Sequence, residues 1–274
     1  IIKKYCQLNM IFKKRFIFLN FIKSAFIYNI LFILLNSSLF SKNLISGYNF
    51  SEPSTQEIQD DDFLNPGFLW VERGKKIWLE KKAKETTTSC HSCHGNIKSM
   101  KGVSLNYPKV YDKTNKLINI EQQINICRKE KMHLKEYEPE AKNLLALSTA
   151  ITFQSRGLDQ KMEITKKNKK WFDIGKSLYN QKIGQMGLSC NQCHDDRVGM
   201  NLRAEKVSQG QVNGFPSYLL RWSKVVSVHR RFQFCNEQAR ALPFNIFSDE
   251  YNALQLYLTN RGNGLKIETP SVRK

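Results

Sequence analysis

The sequence predicts a mainly α fold made of two tandem repeats. A Cys-x-x-Cys-His pentapeptide occurs twice, at Cys90–His94 and at Cys190–His194, 100 residues apart. A Gly followed four residues later by an aromatic residue precedes each pentapeptide at almost the same distance, in Gly74–Trp78 and in Gly175–Tyr179. Self-similarity at a fixed period is the signature of a repeated structural unit. Helical spacing of apolar residues recurs around these motifs and strand signals are few, so both repeats are expected to be helical.

The two pentapeptides have the spacing that attaches c-type haem. Two thiols three positions apart on one helical turn can form thioethers with the two vinyl groups of a porphyrin, and the adjacent imidazole then lies beneath the iron. We therefore predict two covalently bound haem c groups in two tandem cytochrome c-type domains. The thioethers would come from Cys90, Cys93, Cys190 and Cys193, and the proximal iron ligands would be His94 and His194.

Three other uses of these cysteines agree less well with the pattern. A zinc site needs four ligands in a tetrahedron, and the vicinal Cys193 and His194 cannot easily reach one ion together. A thioredoxin-like redox pair requires a βαβ pattern beside its Cys-x-x-Cys, which this sequence lacks. Structural disulfides suit an exported chain. They give no reason, however, for a His after the second Cys in both motifs.

The first fifty residues contain seven Lys or Arg and no Asp or Glu. A basic segment, the apolar run 27–35 and the small residues after it predict a signal peptide over residues 1–41, with translation starting at Met10. The apolar run is too short for a membrane span, which needs about 20 apolar residues. Export to the periplasm agrees with haem c, which is attached on the oxidising side of the membrane. Nucleic acid is therefore not expected as a partner, despite a formal net charge of +19.

Composition also suggests where the two domains begin and end. Residues 51–160 are predicted to form the domain of haem 1, residues 161–170 a basic linker, and residues 171–274 the domain of haem 2. The acidic stretch 51–65 is expected to be an exposed lead-in. The apolar-periodic segment Tyr251–Leu258 predicts a terminal helix in the second domain.

The sixth iron ligand of haem 2 can be narrowed by elimination. Soluble cytochromes c generally use a Met well downstream of the motif, but the last Met is Met200, only six residues past His194. A Met ligand is therefore not expected. The remaining strong donors in this domain are His229 and Cys235.

Haem 1 has its own set of candidate ligands. Ile120, Ile124 and Cys127 are spaced i, i+4, i+7, which predicts that Cys127 lies on the buried face of a helix. The other candidates are Met132, His133 and, less readily, Met162 in the linker. Cys127 follows Cys90 by 37 positions, much as Cys235 follows Cys190 by 45. Matching spare cysteines in two repeats favour thiolate ligation at both haems.

At these residues the chain resembles the SoxA subunits of the SoxAX cytochromes, the L-cysteine S-thiosulfotransferases of bacterial thiosulfate oxidation. The resemblance runs from about Gly67 to Gly262. Its motifs are Ile124–Arg128, Phe153–Gly157, Asn213–Tyr218 and Val228–Phe232 with Cys235 after it. One departure is Leu242, before Pro243, where the family pattern has Glu. That difference puts a local contact in doubt and leaves the chemistry unaffected.

The resemblance implies specific roles. Cys127 would ligate haem 1, and Cys235 would ligate haem 2 and carry a persulfide during turnover. Arg231 would contact the sulfur substrate. The implied partners are a small SoxX-like haem c subunit, a SoxYZ-like carrier protein with a reactive cysteine, thiosulfate, and a cytochrome c electron acceptor. The implied activity is oxidative coupling of thiosulfate to the carrier cysteine, with the electrons passing to haem.

The residues themselves are compatible with that activity. Thiosulfate is a dianion, and the guanidinium groups of Arg230 and Arg231 can offer it charge-assisted, fork-shaped hydrogen bonds. Arg221, Lys224 and Arg240 would enlarge the positive field. Two other classes stay open on the sequence alone. A non-enzymatic dihaem electron carrier would need two closed haems and no substrate site, whereas a dihaem peroxidase would need one haem with a labile sixth position.

Overall fold

A computed structural model describes residues 43–81, 87–203 and 205–274. Its helices are, in chain order, α1 (Pro53–Asp60), α2 (Gly67–Leu79), α3 (Cys90–His94), α4 (Ile120–Met132), α5 (Lys142–Phe153), α6 (Lys169–Asn180), α7 (Cys190–His194), α8 (Val228–Gln238) and α9 (Asp249–Arg261). The expected signal peptide lies outside the described residues. Within the described ranges, no helix is long and apolar enough to cross a membrane.

The described strands are all two or three residues long. They are β1 (Lys109–Tyr111), β2 (Lys116–Ile118), β3 (Asn201–Leu202), β4 (Glu205–Lys206), β5 (Ser217–Leu219), β6 (Lys224–Val226) and β7 (Ser271–Arg273). The pairs β1–β2 and β3–β4 are antiparallel, and β5 lies between antiparallel β6 and parallel β7. The prediction of a mainly α fold is confirmed, because the strands are few and short while the helices form most of the regular structure.

Each repeat is built around one close helix crossing. In the first repeat α2 packs on α5 at Gly74, where an added Cβ would lie 2.1 Å from the carbonyl oxygen of Ala146. In the second repeat α6 packs on α9 at Gly175, where an added Cβ would lie 2.0 Å from the carbonyl oxygen of Ala253. The recurring Gly of the sequence is therefore a packing requirement, since only a residue without Cβ lets the two backbones approach this closely.

The aromatic residues that follow these glycines are core residues. Trp78 is buried against Ile124 and Leu144 in the first repeat, and Tyr179 is buried against Phe232 and Tyr251 in the second. A third cluster joins elements of both repeats. Its buried members are Leu117, Met162, Trp171, Ala253 and Leu256.

Two segments are more involved in packing than their composition suggests. The stretch 51–65, expected as an exposed lead-in, forms α1 and buries Thr55 and Gln59. The Gln59 side-chain oxygen accepts a hydrogen bond from the amide of Val272 at 2.9 Å, so α1 packs against β7 in the second repeat. The segment 161–170 places Met162 in the shared cluster. The predicted domain boundaries stay predictions.

Gly175→Ala is expected to destabilise the protein because the new methyl group would meet backbone rather than a movable side chain. Overpacking of this kind costs about 1–3 kcal/mol of unfolding free energy. Thermal unfolding followed by circular dichroism measures the loss. Ser177→Ala, at an exposed position on the same helix, is the matched control and should unfold near the wild-type temperature. Equal melting temperatures for Gly175→Ala and wild type would contradict the packing role.

Candidate functional site

The second Cys-x-x-Cys-His motif is held as one helical turn, α7, by its first residues. The amide of Ser189 donates to the side-chain oxygen of Gln192 at 2.9 Å, half of a capping box at the start of the helix. This cap fixes the turn that carries Cys190 and Cys193. Cys190 packs against the core of the second repeat. Burial, with a smaller contribution from the charge of Cys235, raises the pKa of the Cys190 thiol to about 12.

His194 has the arrangement of a histidine ready to bind a metal. Its Nδ1 lies 2.8 Å from the carbonyl oxygen of Ser208. Since a carbonyl can only accept, Nδ1 carries the proton and the lone pair is on Nε2, as in most metal-bound histidines. An added Cβ at Gly210 would lie 2.9 Å from the His194 ring, so Gly210 leaves room for the imidazole.

Arg231 and Cys235 lie one turn apart on α8, which places both side chains on the same helix face. The helix starts at Ser227, whose hydroxyl oxygen accepts from the amide of Arg230 at 3.1 Å. Arg231 and Cys235 line one cavity together with Cys190 and His194. The apolar residues that line this cavity are Phe50, Val212, Phe215, Leu219, Val228, Phe232, Leu254 and Leu258.

The structure separates the two adjacent arginines that the sequence grouped together. Arg230 donates to Glu237 at 2.9 Å, and its guanidinium carbon lies 5.2 Å from the centre of the Trp222 ring. Arg231 instead lines the cavity, and its buried Nη1 has no hydrogen-bond partner among the described residues. Of the two, Arg231 is thus the guanidinium available to a ligand in the cavity. The wider positive field is also smaller than expected, because Arg221 is paired with Glu205.

The other candidate ligands of the second motif lie elsewhere. His229 is completely buried, and its Nδ1 accepts a hydrogen bond from the amide of Phe247 at 3.1 Å. Burial lowers the pKa of His229 to about 3. Met200 is 57% exposed. Neither residue lines the cavity that contains His194, whereas the Cys235 thiol does and is also exposed to solvent.

The first motif is capped in the same manner. In α3 the amide of Ser92 donates to the hydroxyl of Ser89 at 3.1 Å. The indole N–H of Trp78 donates to the carbonyl of Gly95 at 2.9 Å, which ties the end of the motif to α2. The His94 ring lies 5.7 Å from the Trp78 ring, and both His94 and Cys93 are exposed.

Cys127 is the spare thiol beside the first motif. Burial raises the pKa of Cys90 to about 11, and the charge of Cys127 on α4 is the next contribution. The Cys127 side chain is half-buried rather than fully buried, and its sulfur accepts from Nε2 of Gln123 at 3.4 Å. Of the alternatives, Met132 is buried in α4 and His133 is the exposed cap of that helix.

The residues present fit haem c at both motifs. Each offers two thiols on one helical turn and an imidazole directly after them, and the second adds an apolar cavity and an oriented imidazole. Sequence reasoning missed several of the cavity's walls. The carbonyl of Ser208, the space at Gly210 and the Gly47–Thr55 segment have no local signal, since their role depends on contacts between distant parts of the chain.

A helical repeat with a Cys-x-x-Cys-His turn packed beside a crossed helix pair defines a c-type cytochrome, here with two such units. The chain belongs to the SoxA/TsdA cytochrome c family, whose model matches residues 73–159 and 174–267. The two predicted cytochrome c-type domains are confirmed by this match.

Relatives and a solved structure agree with the family. The chain is 43% identical over 232 residues to the L-cysteine S-thiosulfotransferase subunit SoxA of Pseudaminobacter salicylatoxidans, covering 84% of this chain and 81% of that protein. It is 37% identical over 230 residues to the corresponding subunit of Paracoccus pantotrophus, covering 84% and 79%. The structure resembles a chain in the crystal structure of SoxXA from P. pantotrophus with a TM-score of 0.80 at 37% identity, covering 84% of this chain and 87% of that one.

Proposed function

We propose that this chain catalyses the oxidative coupling of thiosulfate to a cysteine of a sulfur-carrier protein, and that Cys235 holds the sulfur during transfer. The observation that carries the proposal is the arrangement on α8. An exposed thiol lies one turn from a guanidinium whose buried Nη1 has no hydrogen-bond partner in the described part of the chain. Both groups line the same cavity as Cys190 and His194 of a haem motif.

Overall, coupling thiosulfate to the carrier thiol releases two electrons and one proton. The Cys235 thiolate attacks the terminal sulfur of thiosulfate, and an S–S bond forms as two electrons are released. The thiolate of the carrier cysteine then attacks the same sulfur, which gives the carrier thiosulfonate and returns Cys235 as a thiolate. The carrier thiol has lost its proton. Haem c, when bound, supplies a one-electron acceptor, and a soluble cytochrome c is the class of final oxidant.

Two residues of the cavity would have separate roles, one in binding thiosulfate and one in meeting the carrier. Arg231 would hold the sulfonate oxygens of thiosulfate through two parallel N–H donors and orient the terminal sulfur toward Cys235. Because Cys235 is exposed, a cysteine on a second protein can approach it.

The remaining site assignments belong to the same proposal. Cys90, Cys93, Cys190 and Cys193 would bind two haem c groups covalently, His94 and His194 would be the proximal ligands, and Cys127 and Cys235 the distal ones. The partners would be a small SoxX-like haem c subunit and a SoxYZ-like carrier. The compartment would be the periplasm, where haem c is attached.

The test combines mass and activity. Denaturing mass spectrometry of the mature chain is expected to show two covalently attached haems. The protein with its small haem partner, thiosulfate and oxidised cytochrome c is expected to convert a carrier with a free cysteine into its thiosulfonate. A carrier with that cysteine changed to Ser is the control. Haem reduction by thiosulfate without carrier modification would place the chain among electron carriers, and turnover of peroxide would place it among peroxidases.

A further inference from the structure

A buried carboxyl group lies between the two haem motifs. Glu121, in the first turn of α4, is only 5% exposed. It lines a cavity of about 60 Å³, large enough for a few water molecules. The polar side chains that line the cavity with it are Ser104, Thr152, Gln160, Gln255 and Thr259.

This cavity shares a wall with the cavity of the second haem motif. Val212, Phe215 and Val228 line both, so one layer of side chains separates Glu121 from the space beside Cys190 and His194. The neighbouring Ile120 also lines this cavity and belongs to the core against which Cys90 packs. The carboxyl group is therefore close to the second haem position and on the helix that carries Cys127.

No cation neutralises Glu121 within ion-pair distance among the described residues. The charged group that acts on it is Glu140, a second carboxyl. The Ser148 hydroxyl of α5, which donates to the carbonyl oxygen of Leu145 at 3.2 Å, is near enough to lower the pKa of Glu121 slightly. Tyr107 lines the same cavity, and Gln255 of α9 faces it with His229 as its neighbour. Lys224 and Arg230 act on Glu140 rather than on Glu121.

Of these groups, Glu121 is the one whose raised pKa lies near neutral pH. Burial, with a smaller contribution from the charge of Glu140, raises the pKa of Glu121 to about 7. Burial also raises the pKa of Glu140. Burial lowers the pKa of His229 to about 3, and it raises the pKa of Tyr107 above that of an ordinary tyrosine. Neither side chain therefore changes charge near neutral pH.

We propose that Glu121 is a proton acceptor coupled to reduction of the haem that Cys190 and Cys193 attach. When one electron reduces the ferric haem, the Glu121 carboxylate takes up one proton from solvent through the polar cavity. When the acceptor removes the electron, the proton leaves. The added negative charge acts through a low-dielectric layer, where charges interact strongly. Coupling between the two sites is reciprocal, so the bound proton also favours reduction.

The proposal requires the second haem of the proposed function but not its sulfur chemistry. The test therefore measures the reduction potential at an electrode. The proton coupling can fail while thiosulfate transfer succeeds, and the reverse can also occur. The haem-loaded protein is titrated potentiometrically between about pH 5 and pH 9, the range in which a carboxyl with a raised pKa changes charge. In wild type the potential of the second haem is expected to fall as pH rises through neutral, because an ionised carboxylate opposes the electron.

Glu121→Gln keeps the shape of the side chain and removes its proton equilibrium, so the potential should become independent of pH in that window. Glu138→Gln, an exposed carboxyl on the following loop, is the matched control and should keep the wild-type slope. In Glu140→Gln the potential should still fall with rising pH, but over a lower pH range. The lost Glu140 charge no longer raises the pKa of Glu121. A wild-type slope in Glu121→Gln, or its loss in Glu140→Gln alone, would overturn the proposal.

A second measurement needs no substitution. Infrared difference spectra of the wild-type protein, recorded on electrochemical reduction at neutral pH, should gain a protonated-carboxyl band as the haem is reduced. Reduction without such a band would overturn the proposal even if Glu121→Gln failed to fold.

Discussion

Cys235→Ala is expected to abolish transfer of thiosulfate sulfur to the carrier while leaving both haems covalently attached. In the proposed assignment the thioethers would come from the four motif cysteines, and a haem that loses its sixth ligand can often recruit another. The sulfur that forms the covalent intermediate would have no substitute, because Cys190, which also lines the cavity, would be held in a thioether. Loss of a nucleophile costs activity by on the order of 10³-fold or more.

The measurement follows the mass of the carrier in the presence of the small haem partner and oxidised cytochrome c. Cys235→Ser tests whether sulfur itself is required, because a hydroxyl cannot form the S–S bond, and it should be equally inactive. Gln238→Ala, an exposed change on the same helix, should retain activity. Full activity in Cys235→Ala would refute the thiosulfotransferase mechanism and return the chain to the electron-carrier class.

The haem motifs and the repeat could be predicted because their chemistry is local. A Cys-x-x-Cys-His turn needs one helical turn whatever surrounds it, and Ser89 and Ser189 form matching caps in the structure. The recurrence of Gly74 and Gly175 was visible as a pattern. Its cause, a helix crossing in which an added Cβ would lie about 2 Å from a carbonyl oxygen of the partner helix, became visible only with both helices in place.

The roles of neighbouring arginines were predicted less well. Arg230 and Arg231 are equivalent in composition, but adjacent residues of a helix point about 100° apart, so they face different surroundings. The spacing of four between Arg231 and Cys235 was the signal that could have selected Arg231. The pairing of Arg230 with Glu237 depends on the conformations of two long side chains and has no comparably clear signal.

Contacts between residues far apart in the sequence could not be predicted at all. Gln59 and Val272 are 213 residues apart, yet they join α1 to β7 beside the cavity of the second motif. Glu121 illustrates the same limit. An acidic residue in the first turn of a helix is ordinarily a favourable surface position, and its burial becomes apparent only when the second repeat covers it.

Arg231→Ala is expected to lower the rate of carrier modification by about 10²–10³-fold, the usual loss when one preorganised donor to a developing charge is removed. The Cys235 sulfur stays in place, but a fixed positive charge leaves the cavity. The loss should therefore appear both in substrate positioning and in transition-state stabilisation. Arg231→Lys should recover only part of the rate, since an ammonium group carries the charge without the planar fork.

Arg230→Ala provides the matched control because it removes the same side chain one position away. Since that guanidinium is already engaged with Glu237 and Trp222, its removal should change the rate of carrier modification much less than Arg231→Ala. Steady-state rates at several thiosulfate concentrations separate the two variants. Equal losses in Arg230→Ala and Arg231→Ala would mean that the positive field of α8 as a whole, rather than a directed guanidinium in the cavity, binds thiosulfate.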